Sequence, residues 1–498
     1  LAARLTEDPD VSVALIEAGE ADAAPEIEVP IASTQLFKTK YDWDFATEPE
    51  PALRGRRVYL PRGKVLGGSS SLNFMIYMRG NQADFDGWAN EGAPGWSYRE
   101  MLPYFIQSEG NERGDPQYHG RLGPLTVSDS RSMHPLVDRF VEAGVQAGHP
   151  HNDDFNGPTQ IGVGRFQFTQ RNGARCSAAK AYLHPAVQRP NLHLFTGALV
   201  LRLVFESTRA VGISVYREGA EETIYADREV ILSAGAYGSP QILMLSGIGP
   251  ASHLGRLGIP SVADLPVGQN LQDHAFVALT HLTDEATLYG AGSEQDRVTY
   301  QTDGRGPLSS NIAEGGGFLS TKSGQSAPDI QLYTAPTMLV DEGLSPPFAQ
   351  AWGIAASVVK PTSRGSVRLR SARPDAKPRI LHNYLVTPED RQAMIAGVKH
   401  ALNIFEQPAV AGLSRARFCL PESDRDSDIM SFVERYTGTT YHPTGTCAIG
   451  RVVDPKLRVL GMEGLRVVDA SVMPSTVRGN TNASVIAIAE KAVDILVQ

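Results

Sequence analysis

Two residues near the C-terminal end of the chain carry the means for proton transfer: His442, in Tyr441-His442-Pro443-Thr444-Gly445-Thr446, and Asn480, in Gly479-Asn480-Thr481-Asn482. A neutral imidazole accepts a proton from an oxygen acid near neutral pH, and a carboxamide donates a hydrogen bond to the oxygen left behind. Between them, the apolar run Leu465-Arg466-Val467-Val468 ends in Asp469-Ala470, the pattern of a buried parallel strand emptying into a crevice. Asn480 lies ahead of Ser484 to Val497, where Val485, Ile488, Ala489, Ala492 and Ile495 recur at helical spacing. Its loop therefore feeds a helix N-terminus, with unpaired N–H groups and a partial positive charge. From these residues alone the favoured reading is the plain one, a loop histidine and a helix-capping asparagine, because short polar patterns recur by chance.

The whole chain sets the bounds. With 498 residues, 42% hydrophobic and 20% charged, it has ordinary globular composition and room for more than one core. A formal charge of −9 and a pI near 5.8 speak against a nucleic-acid partner, which needs a basic stripe. Cys176, Cys419 and Cys447 are widely spaced and form neither a disulfide framework nor a metal-ligand pattern, so no metal is expected and a reducing, cytoplasmic compartment fits. No apolar run approaches the ~18 residues of a transmembrane span, which leaves peripheral attachment at a membrane as the alternative to the cytoplasm. The chain begins with Leu, and no signal peptide is visible behind it.

Along the chain, Leu1 to Leu5 reads as the end of a helix and Val11 to Ile16 as a strand closed by Glu17-Ala18-Gly19. An acid ending the second strand of a dinucleotide-binding unit holds a ribose, roughly 20 residues after a G-x-G-x-x-G loop. No such loop occurs in the sequence, so it is expected upstream of residue 1, and a plain edge strand is an equal reading of this segment. In Pro61 to Gly80, Gly67, Gly68, Ser69 and Ser70 remove side-chain bulk and supply donors, as backbone lying against a flat ligand requires. Pro103 to Glu109 and His134 to Gly148 carry helical patterns, with Asn111 to Gly123 between them as an exposed loop or lid. Strands follow at Leu192 to Thr196, Leu199 to Phe205, Val211 to Tyr216 and Val230 to Leu232, then a small-residue turn and a short helix starting near Pro240. From Ala275 to Thr437, strand-like pieces (Asp329 to Tyr333, Gly353 to Val359, Ser366 to Arg370) alternate with turns, and one long helix runs from Pro388 to Phe405. That texture predicts a second domain, mainly antiparallel, inserted before the chain returns to close the first.

Taken together, Pro61 to Gly80, Gly235 to Pro250, Val267-Gly268-Gln269-Asn270-Leu271-Gln272-Asp273-His274, His442 to Thr446 and Val468 to Asn482 resemble the glucose-methanol-choline (GMC) oxidoreductase family, in its choline dehydrogenase-like bacterial branch. The resemblance runs from Leu1 to the last helix. It implies an α/β fold: a Rossmann-like FAD-binding domain with an inserted α+β substrate domain on a mainly antiparallel sheet. The expected division is 1–80, 191–274 and 438–498 for the FAD-binding domain, 81–190 for a lid and connecting helices shared between domains, and 275–437 for substrate binding. By the same resemblance Glu17 holds the adenosine ribose, Gly67, Gly68, Ser70 and Asn73 line the flavin, Val200 offers backbone to the adenine, and Asp469 with Ala470 sits at the flavin end. His442 and Asn480 fall on the family's catalytic pair, which reverses the plain reading. Where some members carry a histidine that links covalently to flavin, this chain has Leu72, so non-covalent FAD is expected. The missing glycine loop implies a chain truncated at its N-terminus.

The implied reaction is oxidation of a primary alcohol to an aldehyde, with His442 as base and electrons passed to a quinone, a dye-like carrier or oxygen. Glu314 falls where choline-oxidising members place a carboxylate, and Tyr441 adds an aromatic face, without favouring choline over uncharged alcohols; a structural glutamate beside three glycines is an equal reading. An alcohol oxidase, a hydroxynitrile lyase and a non-catalytic flavoprotein are the alternatives.

Overall fold

The computed structural model of the protein describes residues 1–322, 324–325 and 327–497. Two parallel strand pairs mark the dinucleotide-binding half: Val13–Ile16 with Leu192–Phe195, and Val230–Leu232 with Leu465–Val467. The β-branched, apolar run expected to be a buried parallel strand is therefore one. An antiparallel meander of Leu199–Glu206, Arg209–Arg217 and Ala220–Tyr225 joins this half. The third strand went unread because Ala220 to Ile224 offers four polar or small residues and one apolar one, on a surface that buries almost nothing.

The other half is built on a seven-stranded antiparallel sheet. Its order is Ala416–Cys419, Ala275–Leu282, Ala351–Val358, Ile330–Ala335, Gly315–Leu319 and Gly162–Arg165, with Gly438–Thr439 also paired to Ala275–Leu282. The strand Gly162–Arg165 comes from the segment read as lid and connecting helices, so that segment contributes an edge to this sheet. Helix Pro388–Phe405 begins where Thr387 accepts the Asp390 N–H, with Pro388 where no N–H partner is needed. It buries Met394, Val398, Ala401 and Ile404, and its Gly397 lets Ile330 and Ala356 of the sheet approach. Each large apolar side chain so buried contributes about 1.5–3 kcal/mol. One face of the sheet, carrying Ile330 and Ala356, thus lies under this helix, and by strand alternation Gln331, Tyr333, Ala355 and Ser357 point the other way.

Two expectations need correction. The helix after Val230–Leu232 starts at Gly235 and not near Pro240, which lies inside Gly235–Leu245. Proline lacks the N–H that would bond the Ala236 carbonyl, and Thr446 Oγ1 donates to that carbonyl at 2.7 Å instead. Asn111 to Gly123 is not a free lid either. Glu109–Asn111 pairs with Leu125–Asp129, and His119 is buried between Glu109 at 2.8 Å and Asp154 at 2.9 Å.

Candidate active site

Two loops are laced together to hold His442. Gln272 and Thr444 exchange backbone hydrogen bonds at 3.1 and 2.9 Å, and the Thr440 N–H donates to the His274 carbonyl at 3.1 Å. Asp273 is the knot: its carboxylate accepts the N–H of His274 (2.9 Å) and of His442 (2.7 Å), and the hydroxyls of Thr439 (2.6 Å) and Tyr384 (2.5 Å). Burial alone would raise this carboxyl, but nearby His382 and the hydroxyl donors bring it below the usual carboxylate range. Tyr441 sits in the left-handed region (φ 66°), a strained position that turns the chain into the site. Its carbonyl is held by Arg62 at 2.6 Å.

His442 is 7% exposed, and its ring hydrogen-bonds no carboxylate. Its Nδ1 lies 3.0 Å from His274 Nδ1 and 3.0 Å from Thr440 Oγ1, and its Nε2 lies 3.2 Å from Asn480 Nδ2. The amide orientations form one consistent chain: Tyr333 donates to Gln331 Oε1 at 2.8 Å, Gln331 Nε2 donates to Asn480 Oδ1 at 3.3 Å, and Asn480 Nδ2 faces His442 Nε2 as a donor. His442 therefore carries its hydrogen on Nδ1 and a lone pair on Nε2. On the other side His274 accepts at Nδ1 and faces Thr476 Oγ1 with Nε2 at 3.3 Å. Burial, with His274 second, pushes His442 well below its ordinary pKa, and burial pushes His274 down to about 4. The arrangement is a neutral imidazole whose acceptor nitrogen is hydrogen-bonded to a carboxamide donor; a hydroxyl that breaks into this bond gives its proton to the nitrogen and takes the amide N–H on its oxygen.

Asn480 is positioned by packing as well as by Gln331. It precedes helix Asn482–Val497, whose Ser484 hydroxyl anchors to the Arg79 carbonyl at 2.8 Å, and Gly479 lies against Phe318 and Met78. Phe318 belongs to an apolar cluster with Met75, Ile76, Phe166 and Tyr333.

The residues expected to line a cofactor fall on the other half. Glu17 closes strand Val13–Ile16, accepts the Gly19 N–H at 2.7 Å, and is tied through its carbonyl to Ala198, two residues before Val200. Burial raises its carboxyl to about 7, against the Gly19 N–H and the nearby Lys64. Gly67 is left-handed (φ 86°), and a Cβ there would come 2.5 Å from Ser71 Oγ, so only glycine suits the turn into Gly68–Ser71. Ser70 Oγ bonds back to the Gly67 carbonyl at 2.6 Å and also accepts the Ala178 N–H at 2.8 Å. Beneath this loop lies Arg175, a buried guanidinium whose hydrogen bonds all go to neutral acceptors, among them the carbonyls of Ser70 (3.1 Å) and Asn73 (2.6 Å). Burial pulls it down to about 9. Asp469 caps the turn holding Ala470 through the Ser471 N–H (2.8 Å) and also accepts from Gly235 N–H (2.9 Å) and Ser239 (2.5 Å). Gly235 is left-handed (φ 77°) with open space where a side chain would stand, beside exposed Ser233 and Ala234. Glycine turns, hydroxyl donors and an acid at the end of a parallel strand suit a flat dinucleotide such as FAD. Leu72 is buried with Ile27, Leu36 and Val65, a hydrocarbon among hydrocarbons.

Two expected substrate residues are not brought to the His442–Asn480 pair by any hydrogen bond. Glu314 spends its carboxylate on the Ser130 hydroxyl (3.1 Å) and the His134 N–H (2.7 Å), at the N-terminal end of helix Pro135–Gln146. The Tyr441 ring packs edge-on to Phe37 at 6.0 Å. Conversely, Asp273, His274 and Gln331 were not singled out from sequence. The adjacent acid and imidazole in Gln272-Asp273-His274 were a signal for the first two, whereas nothing local marks Gln331.

The chain matches the GMC oxidoreductase family over residues 16–276 and again over 361–489. It is 44% identical to the mitochondrial choline dehydrogenase of Homo sapiens, over all of this chain and 87% of that one. It is 40% identical to the alcohol dehydrogenase [acceptor] of Pseudomonas putida, over all of this chain and 93% of that one. The pyridoxine 4-oxidase crystal structure from Mesorbium loti superposes with a TM-score of 0.91 at 33% identity, covering 99% of this chain and 96% of that one. No helix among the described residues is long and apolar enough to cross a membrane. With both halves of the family's pattern present in order, the chain belongs to the GMC oxidoreductase family and is an FAD-dependent oxidoreductase acting on CH–OH groups.

Proposed function

We propose that the protein oxidises a primary alcohol to an aldehyde as a dehydrogenase, with His442 as the base and Asn480 as the oxygen-holding donor. The observation that carries this is the lone pair fixed on His442 Nε2, 3.2 Å from a carboxamide N–H, in a site where burial keeps the imidazole neutral. An alcohol hydroxyl is a weak acid, so its proton must leave as negative charge builds on oxygen. His442 Nε2 takes that proton, while Asn480 Nδ2 donates to the same oxygen and stabilises the developing charge. Such a base contributes ~10²- to 10⁴-fold, and one such donor about 2.7–4 kcal/mol. FAD, when bound, supplies the two-electron acceptor for the hydride leaving the carbon.

Glu17, Gly67, Gly68, Ser70, Asn73, Val200, Asp469 and Ala470 are the residues we assign to holding FAD, non-covalently because Leu72 carries no nucleophile. The five-part division of the chain stands as our reading, with the reservation that strand Gly162–Arg165 joins the substrate-side sheet. The electron pair then passes to a carrier of the quinone or dye class, as the two dehydrogenase relatives suggest over the oxidase. We place the reaction in the cytoplasm, a reading supported by three free cysteines. The test is anaerobic stopped-flow reduction by a panel of alcohols. His442→Ala is expected to slow flavin reduction by ~10²-fold or more while substrate affinity changes little, because the base acts in the transition state. Reduction at a near wild-type rate would overturn the assignment.

A further inference from the structure

A small sheet outside the His442–Asn480 site gathers more positive charge than its neighbours neutralise. Its strands are Gln269–Leu271, Gly365–Arg368 and Arg379–Leu381, in that order. Their register sets Gln269 opposite Ser366, and Arg368 directly opposite Arg379. By strand alternation these four share one face, while Val367 and Ile380 point the other way and are buried in the core. Like charges directly opposite one another on a sheet face repel, so this register carries an electrostatic cost.

The short helix Ala251–Arg256 adds to the same side, tied down where His253 Nε2 accepts the Leu369 N–H at 3.1 Å. Between helix and sheet lies a cavity of about 120 Å³, lined by Ser252, His253, Arg256, Gln269, Ser366 and Arg368. A single water needs only about 10–15 Å³, so the space holds a larger guest. Because the Leu369 N–H can only donate, the neutral His253 ring carries its hydrogen on Nδ1. Burial lowers the pKa of this imidazole, and Arg368, Arg256 and Arg379 lower it further, with no carboxylate acting the other way. Three guanidiniums from three elements thus converge on one ring. Among the described residues neither Arg256 nor Arg368 meets a carboxylate at ion-pair distance. Arg379 has only Glu48, at 3.7 Å, which Arg370 already holds at 2.6 Å and Arg57 approaches at 3.8 Å.

We propose that this cavity binds an oxyanion of the phosphate class, held by the guanidiniums of Arg256 and Arg368 and by the Nδ1–H of His253. A guanidinium presents N–H donors in a fork that matches the oxygens of a phosphate, and the bond is strengthened by charge. An anion beside Arg368 and Arg379 also offsets their repulsion. A free phosphate and a lipid headgroup offer the same group to these residues. The site shares no residue with the His442–Asn480 pair or with those assigned to FAD, so it stands or falls apart from the alcohol-oxidising reading.

The experiment uses the FAD-loaded protein and inorganic phosphate, with sodium chloride holding the ionic strength constant so that screening does not change. Flavin absorbance is followed throughout, so that release of FAD is not read as an effect of phosphate. The melting temperature should rise saturably with phosphate, because a ligand of the folded state stabilises it by mass action. In Arg256→Gln/Arg368→Gln the apparent dissociation constant should weaken by about tenfold or more. Arg139→Gln/Arg297→Gln removes the same charge from exposed positions elsewhere and should leave it unchanged. Flotation with phosphatidylglycerol vesicles, set against phosphatidylcholine vesicles, separates the two sources. Flotation that needs Arg256 and Arg368 assigns the site to a lipid headgroup, and phosphate binding without flotation assigns it to a soluble phosphate. A melting temperature indifferent to phosphate, or an equal response in wild type and in Arg256→Gln/Arg368→Gln, would overturn the proposal.

Discussion

Two buried histidines of this protein have been pushed in opposite directions. His119 is 2% exposed and His442 7%, so solvent exposure does not separate them. His119 lies between Glu109 at 2.8 Å and Asp154 at 2.9 Å, with Arg79 paired to Glu109 at 2.8 Å. Burial alone would lower its pKa, but the hydrogen bonds to Asp154 and Glu109 outweigh it and the imidazole is held charged more readily than in water. The His442 ring hydrogen-bonds only neutral partners, His274, Thr440 and Asn480, and burial outweighs the Asp273 carboxylate held on its backbone N–H. Burying a polar side chain thus fixes no protonation state; the charges admitted beside it do. One region spends its charges on the imidazole itself to fasten a loop, and the other keeps the Asp273 carboxylate on backbone N–H and hydroxyl donors, off the His442 ring, so that a base stays available.

The largest effect should come from breaking the charged region. Glu109→Gln leaves Arg79 and His119 buried without their shared carboxylate, and removing one member of a buried ion pair typically costs about 3–5 kcal/mol. Urea unfolding should show a lower midpoint of that order. An unchanged midpoint would mean that the cluster gains nothing from its pairing.

A smaller and more discriminating effect is the sign of pH dependence. His119, raised in the fold, contributes stability that is full below about pH 6.5 and is lost as pH rises through its folded value. His274, pushed down to about 4, behaves the other way: as pH falls below about 6.5 the unfolded chain binds a proton that the fold refuses, and stability is lost. His119→Gln should therefore cost more stability near pH ~5.5 than near pH ~8, and His274→Gln should cost less near pH ~5.5 than near pH ~8. Equal costs at both pH values for the two variants would erase the contrast.

The same contrast explains what was legible in the sequence. Strand Leu465–Val467 and helix Pro388–Phe405 declare themselves because their apolar spacing is local. His442 and Asn480 each sit in a short motif, but those residues alone favour the plain reading, and it is the resemblance of several ordered motifs to one family that points to them. His274 lies in a quoted motif, but its partnership with His442, like that of Gln331 with Asn480, is not legible, since these contacts span 168 and 149 residues and arise only once two loops and a sheet have met. Asn111 to Gly123 reads as a solvated lid because its polar residues are indistinguishable, in sequence, from surface ones. Compensation by Arg79, Glu109 and Asp154 is what buries His119. Glu314 went the same way: the motif offered a charge for a substrate, and the fold uses it to cap a helix.

The most direct test of a base kept neutral by neutral partners is the pH dependence of the limiting rate of anaerobic flavin reduction, measured with a saturating uncharged alcohol from about pH 5 to about pH 9. With His442 held well below its ordinary pKa, the rate should stay level from alkaline pH down past about 6.5 before any fall. A rate that drops with an apparent pKa at or above about 6.5 would contradict the account, because the imidazole would then be no less basic in its site than in water.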